Sequence, residues 1–347
     1  MKNALRCTAA ALLLAVAAGC NDSDPGEVIV DLDVADVQLT VQELVFPINA
    51  SLEATTQIQD AFEDLVVGGF EFDRAGRPMP LALSALDGGP VEKLTVLPVV
   101  IPAGFVGKTF VYDTQQNVYV ADDARADAPA NGVRVIWYDL DGFGDLIVPL
   151  VERGYADLVP ADTGQMSRLD VRIVEVNSGT ELTLADFVHG YRTTNTSPDT
   201  TYYDAEGFYA DAVDQTEFDA AGVTVVATSG ELVSGVSRLD LTRGTERYLL
   251  DVEATIVDTE QYVARVEQGS VHTVLDLLLG GSGEQGGSLS YNGSVVATVV
   301  YDGARFQFVP PGGGSFSGSQ QQELLNLTQT LVLTGLNLPL VMPFFWP

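Results

Sequence analysis

Three aspartates lie close together in residues 138–148, YDLDGFGDLIV, and could bind a metal ion. Asp139, Asp141 and Asp145 would present carboxylates from one short segment, and carboxylate and backbone carbonyl oxygens are the ligands that Ca²⁺ takes in proteins. The same residues are also typical of an acidic hairpin turn with Asp141 and Gly142 at its tip. The segment therefore supports two hypotheses, a calcium site and a turn.

The segment also resembles, over residues 139–147, the aspartate-rich calcium loops of FG-GAP and dockerin-like repeats. Phe143 and Ile147 stand where those loops carry acidic or amide side chains, and the chain has no second copy of the motif. The resemblance implies calcium binding by the three aspartates. No other cofactor is expected.

A catalytic or metal-binding histidine would have to be His189 or His272, since the chain contains two histidines. Neither is spaced from a second histidine or a cysteine as zinc ligands are, and both lie in segments with strand-like alternation. The nucleophile motif G-x-S-x-G does not occur. No pair stands out among the 48 acidic residues as the carboxylates of a glycosidase. We therefore expect no catalytic residues and a protein that is not an enzyme.

The segments that must position these residues alternate apolar and polar side chains with a period of two, as half-buried antiparallel strands do. Leu169, Val171 and Ile173 alternate with charged residues, and residues 133–138 and 289–308 repeat the pattern, with Asn-Gly and Asp-Gly pairs at turns. Long helices between the strands are not predicted, which disfavours a parallel α/β sheet. We predict a mainly β protein built as an antiparallel meander, a sandwich or half-barrel sheets.

Two amphipathic helices are predicted, one near each end of the chain. Residues 52–67 place apolar side chains on one face and end at two glycines, and residues 320–334 do the same before Gly335. Either helix could cover an open face of the sheet, or serve as a lid over a lipid cavity.

The first residues have the pattern of a signal peptide, with a positively charged start, an apolar stretch over residues 9–18 and small residues before Cys20. This stretch is too short to span a bilayer as a stable anchor. Residues 16–20, VAAGC, resemble the lipobox of bacterial lipoproteins, with Ala17 where that family most often has Leu. The resemblance implies that Cys20 is acylated and becomes the new N-terminus. The alternative is an ordinary secretory signal in which a cysteine follows the cleavage site by chance.

Acylation at Cys20 would hold the folded part of the chain at a membrane. The expected location is the bacterial cell envelope, with the outer membrane favoured over the inner one, and the membrane is the expected partner through the N-terminal lipid. Cys7 leaves with the signal peptide, so the mature chain has no disulfide.

The chain is strongly acidic, with a net charge of −31. Cleavage before Cys20 removes Lys2 and Arg6 and no acid, so the mature chain carries 48 acidic residues against 15 basic ones, a net charge of −33. A field of this sign repels nucleic acid, which is therefore not expected as a partner.

The predicted domain organisation has five segments: signal peptide 1–19, polar tether 20–26, N-terminal β-rich unit 27–177, antiparallel β meander 178–309, and a C-terminal segment 310–347 that holds a Gly-rich loop, the second helix and an apolar tail. The predicted function is a non-catalytic binding or structural role in the envelope. Two alternatives remain open, a carrier of lipid or another hydrophobic ligand and a hydrolase of envelope polymers.

Overall fold

The computed structural model describes residues 34–44, 54, 57, 101, 103–141, 146–161, 167–194, 199–226, 232–255, 259–279, 286–301 and 306–341. The predicted signal peptide, Cys20, the tether and most of the predicted helix over residues 52–67 lie outside these residues.

Fifteen strands and a C-terminal helix have defined bounds. The strands are β1 (Thr109–Asp113), β2 (Val118–Ala121), β3 (Val133–Tyr138), β4 (Glu152–Pro160), β5 (Ser167–Asn177), β6 (Thr180–Thr194), β7 (Asp199–Ala210), β8 (Gln215–Val226), β9 (Leu232–Arg243), β10 (Glu246–Thr255), β11 (Thr259–Gln268), β12 (Val271–Leu279), β13 (Gly286–Tyr291), β14 (Ser294–Tyr301) and β15 (Phe306–Val309). Two helices lie near the ends of the chain: α1 (residues 34–44) and α2 (Gly318–Val341).

The strands form one sheet whose order follows the chain, from β15 at one edge down to β3, with β1 and then β2 at the other edge. Neighbouring strands are antiparallel except β1 and β3, which pair in parallel. The prediction of a mainly β antiparallel fold with a helix near each end is confirmed, and the architecture is the meander.

Tight turns explain why consecutive strands become neighbours. Ser178 and Gly179 join β5 to β6 with φ values of 52° and 81°, and Asn292 and Gly293 join β13 to β14 with φ values of 49° and 78°. Positive φ at both positions gives a two-residue turn the twist that a hairpin needs. The predicted boundary between residues 177 and 178 falls in the first of these turns, and the hydrogen-bonded sheet continues across it.

Alternation along the strands divides the sheet into a buried face and a charged face, here called the inner face and the outer face. The register places one inner-face residue of each successive strand in a continuous row: Leu169, His189, Ala205, Ala220, Leu239, Leu250, Ala264, Leu275, Leu289 and Ala297. Most of these side chains belong to one continuous hydrophobic core. The polar residues between them face the solvent on the outer face.

Helix α1 packs on the core although the sequence analysis did not predict it. Its buried residues follow the helical spacing i, i+3, i+4 and i+7: Val37, Thr40, Val41 and Leu44. The Thr216 hydroxyl of β8 donates to the Leu44 carbonyl oxygen at 2.9 Å. This bond satisfies one of the carbonyls that a helix leaves without an internal partner at its C-terminal end.

Helix α2 begins two residues before the predicted start and extends beyond the predicted end at residue 334. The sequence analysis ended the helix at Gly335, but one glycine costs a helix only about 1 kcal/mol relative to alanine. Leu324, Leu327 and Leu331 of α2 are buried. Their spacing of three and four residues forms the apolar stripe that contacts the sheet.

Two glutamine side chains complete the hydrogen bonding where strand pairing stops. Gln321 of α2 donates to the Phe308 carbonyl oxygen at 2.5 Å and accepts from the Phe308 amide at 3.1 Å, on edge strand β15. Gln57, also helical, makes the same two bonds to Tyr138 at the end of β3, at 2.6 and 2.8 Å. A primary amide carries one donor and one acceptor side, so each glutamine takes the place of one residue of a further strand.

Replacing Gln321 by Met should expose the edge of β15. Methionine has similar length but cannot bond the Phe308 backbone, so we expect a loss of about 1–3 kcal/mol of unfolding free energy. Hydrogen exchange at the Phe308 amide should also become faster. The matched control is Gln322→Met, because Gln322 is adjacent and exposed. Equal exchange at Phe308 in both variants would contradict the role of Gln321.

Candidate functional site

The predicted calcium segment is described in part. Asp139 follows β3, and its carboxylate accepts from the Arg153 guanidinium with an Nη1–Oδ1 distance of 3.4 Å. Asp141 is exposed, and Asp145 lies outside the described residues. In the part of the chain that the structure describes, no group of three or more His, Cys, Asp or Glu residues is placed to hold a metal ion. The calcium site therefore stays a prediction.

The two histidines lie on opposite faces of the sheet. His189 of β6 is on the inner face and is 3% exposed, and burial lowers the pKa of its imidazole to about 3. His272 of β12 is on the outer face, with Nδ1 3.8 Å from Glu267 Oε1. Since His189 is neutral at physiological pH and separated from His272 by the sheet, the two imidazoles cannot act at one site.

The tyrosines of β7 also divide between the faces. Tyr202 is exposed on the outer face beneath the Arg192 guanidinium, which lies 4.6 Å from the ring centroid. Tyr203 and Tyr209 are buried on the inner face, and burial raises the pKa of both hydroxyls. Because alternate residues of a strand point in opposite directions, these tyrosines do not line a common groove.

The outer face carries ion pairs that cross the strands. Arg247 of β10 bonds Asp240 of β9 and lies 3.3 Å from Glu267 of β11. Asp251 accepts from Arg265 at 2.5 Å. These pairs gather several arginines of an acidic protein onto neighbouring strands, and each exposed pair contributes little stability by itself.

On the outer face a long side chain crosses a strand above a glycine. Arg168 of β5 passes over Gly190 of β6 and bonds Asp204 of β7, with an Nη2–Oδ2 distance of 2.6 Å. A Cβ at Gly190 would lie 2.8 Å from Arg168 Cγ and 2.5 Å from Asp204 Oδ1. The missing side chain of Gly190 therefore provides the path for this ion pair.

On the inner face an aromatic side chain crosses a strand above a glycine in the same way. Tyr203 of β7 crosses Gly222 of β8, and its hydroxyl bonds the Ser237 hydroxyl of β9 at 2.7 Å. A Cβ at Gly222 would overlap the ring and hydroxyl of Tyr203. Because Tyr203 is buried, its ring cannot move into solvent to make room.

Buried polar groups that the sequence analysis did not identify lie on α2 and on the inner face of the sheet. The Tyr248 hydroxyl of β10 donates to the Leu331 carbonyl oxygen at 2.5 Å. Thr273 of β12 and Thr328 of α2 are 1% and 4% exposed, and neither hydroxyl has a hydrogen-bond partner in the described part of the chain. One sequence signal could have identified Thr273. It is two and four residues from Leu275 and Leu277, so its hydroxyl points to the same face of the strand as these apolar side chains.

No protein-family model, curated protein or solved structure matches this chain.

Among the described helices, none has both the length and the apolar character to cross a membrane.

Proposed function

We propose that this protein is a lipid-anchored component of the bacterial envelope with a non-catalytic binding or structural role. The observation that carries the proposal is the lipobox-like sequence that ends at Cys20, since this cysteine has no partner for a disulfide in the mature chain. The sheet supports a binding or structural role because its strands and α2 share one core and leave a broad outer face for contacts. A lipid at Cys20 would hold this face close to the membrane.

The placement of the histidines favours a non-catalytic role over a hydrolase. A general base must reach the proton that it abstracts and must titrate near the operating pH. His189 meets neither condition, because it is buried and has a pKa of about 3. A hydrolase would instead have to use exposed carboxylates, or His272 beside Glu267. Release of soluble fragments from peptidoglycan by the purified wild type would contradict the non-catalytic role, and loss of that release in His272→Asn would identify His272 as the base.

Replacing Cys20 by Ala should release the protein from membranes into the soluble fraction and abolish labelling by a fatty-acid analogue. A single acyl chain gives only marginal membrane binding and multiple chains a stable anchor, so loss of the acylated residue should change the distribution almost completely. Cell fractionation and metabolic labelling measure this. Cys7→Ala is the matched control and should behave as the wild type, because Cys7 lies within the cleaved segment. Labelling that persists in Cys20→Ala would overturn the lipid anchor.

A further inference from the structure

We propose that the interface between α2 and strands β10–β12 is a binding site for a lipid alkyl chain that carries a neutral hydrogen-bonding group, and that α2 is the lid of this site. The proposal does not depend on acylation of Cys20. It starts from two buried hydroxyls on facing elements, Thr273 on the sheet and Thr328 on the helix.

These hydroxyls are costly in the closed structure. A buried hydroxyl without a partner loses its bonds to water and gains nothing in return. A threonine within a helix can usually avoid this cost by bonding the carbonyl four residues earlier. Thr330 does so, with its hydroxyl 2.9 Å from the Asn326 carbonyl oxygen. Thr328 lacks such a bond, so its hydroxyl remains available to a molecule that enters the interface.

The register places the two hydroxyls in the same region. Tyr248, Val266 and Thr273 are paired in turn across β10, β11 and β12, so Thr273 lies two strand spacings, about 10 Å, from Tyr248. Tyr248 bonds Leu331, and Thr328 precedes Leu331 by roughly one helical turn. The two hydroxyls are therefore assigned to one region, Thr328 on the helix and Thr273 on the inner face beside the strands that α2 contacts.

The surroundings of the hydroxyls define the ligand. The buried residues near the two hydroxyls are mainly apolar: Val266 is paired with Thr273, Leu275 and Leu277 share the strand face of Thr273, and Leu324, Leu327 and Leu331 lie on α2 with Thr328. Among the described residues, no Lys, Arg, Asp or Glu is fully buried. An alkyl chain matches the apolar walls. An anionic group would not be compensated, because no Lys or Arg of the described residues is buried and Glu246 of β10 itself has a shielded carboxylate oxygen without a hydrogen-bond partner, so the polar group is assigned as neutral. A glycerol ester has both properties.

Entry of a ligand requires α2 to move, because both hydroxyl oxygens are shielded from solvent. The connection from β15 to α2 contains exposed Gly313 and Gly314 at φ values of 81° and 95°. This loop can act as a hinge beside the Gln321–Phe308 contact. Displacement of the middle of α2 breaks the bond between Tyr248 and Leu331, and a ligand ester or hydroxyl can replace it.

The test uses 1-oleoylglycerol as the probe and the full chain carrying Thr273→Val or Thr328→Val. Valine has the shape of threonine without the hydroxyl. We expect Thr273→Val and Thr328→Val each to weaken binding of the probe about tenfold and to raise the denaturation midpoint of the ligand-free protein. Thr330→Val is the matched control on α2, and it should not weaken binding. Oleate, which carries a charge, should bind more weakly than the neutral probe.

Comparing the acylated wild type with Cys20→Ala distinguishes the two possible sources of the lipid, the membrane and the protein's own N-terminus. Binding to both proteins indicates a lipid from the membrane, whereas binding to Cys20→Ala alone indicates that the protein's own lipid fills the site. Either result supports the site. The proposal is overturned if neither protein binds the probe, if the two valine variants bind as the wild type does, or if they unfold more easily than Thr330→Val.

Discussion

Gly222→Ala is expected to lower the free energy of unfolding by about 3 kcal/mol, the upper part of the range for an overpacked core. The added methyl group would overlap the Tyr203 ring and hydroxyl. Tyr203 is buried on the inner face, where its hydroxyl bonds Ser237 of β9. Gly190→Ala is the matched comparison on the outer face. There the obstructing atoms belong to Arg168 and Asp204, which are partly exposed and can rotate into water, so its cost should stay below about 1 kcal/mol. Urea unfolding of both variants measures the difference.

A double-mutant cycle tests the cause of the Gly222 effect. In a Tyr203→Ala background the methyl group of Gly222→Ala meets an empty space, so the second substitution should cost little. The coupling energy between the two positions should then account for most of the loss, as it does for residues in direct contact. Equal costs of Gly222→Ala with and without the Tyr203 ring would show that backbone conformation, not the crossing side chain, requires glycine.

Acidification from pH 7 to pH 4 is expected to destabilise the protein through His189. The folded-state pKa of about 3 lies below the ordinary value of 6.5, so between these values the unfolded chain binds a proton that the folded protein does not. The free energy of unfolding should therefore fall as the pH decreases through this window, by up to about 1.4 kcal/mol per pH unit. Above pH 6.5 the imidazole is neutral in both states, and His189 contributes no pH dependence. Chemical unfolding at a series of pH values measures the slope.

Replacing His189 by Met should remove this part of the acid sensitivity, because no titrating group then remains at the position. His272→Asn is the control, since His272 is half exposed on the outer face and its removal leaves the buried imidazole of His189 in place. If His189→Met and the wild type lose stability in parallel below pH 6.5, other groups are responsible and the buried imidazole is not the acid-sensitive element.

Strand identity could be predicted because alternation is local. The pattern of Leu169, Val171 and Ile173 is contained in one strand, and the Asn292-Gly293 pair determines its own turn. Helix α1 was not predicted because the valines at residues 34, 37 and 41 favour strands. The spacing of its buried residues is nevertheless helical. Tertiary packing of the apolar stripe outweighs the weak intrinsic preference of these residues.

The candidate site could not be predicted, because it depends on which strands and helices meet. Nothing close to Gly222 in the sequence indicates that Tyr203, nineteen residues earlier, crosses it; the register between β7 and β8 brings them together. Strand parity could have identified Thr273 as an inward hydroxyl, but its proposed pairing with Thr328 depends on where α2 packs. The predicted metal ligands are close together in the sequence, and of these Asp139 accepts a hydrogen bond from Arg153, while the calcium site stays a prediction.

The sequential order of strands β3 to β15 has a consequence for how the chain reaches this structure. Several neighbouring strands are joined by only two residues, at residues 178–179, 244–245, 269–270 and 292–293. Closing such short loops costs little entropy, so the hairpins can form early and add to one another in chain order. The bond between Leu44 and Thr216 spans 172 residues, and the bond between Tyr248 and Leu331 spans 83. We therefore expect docking of the helices to be the late step, so that the apolar inner face of a nearly complete sheet is exposed to the surroundings of the newly made chain until then.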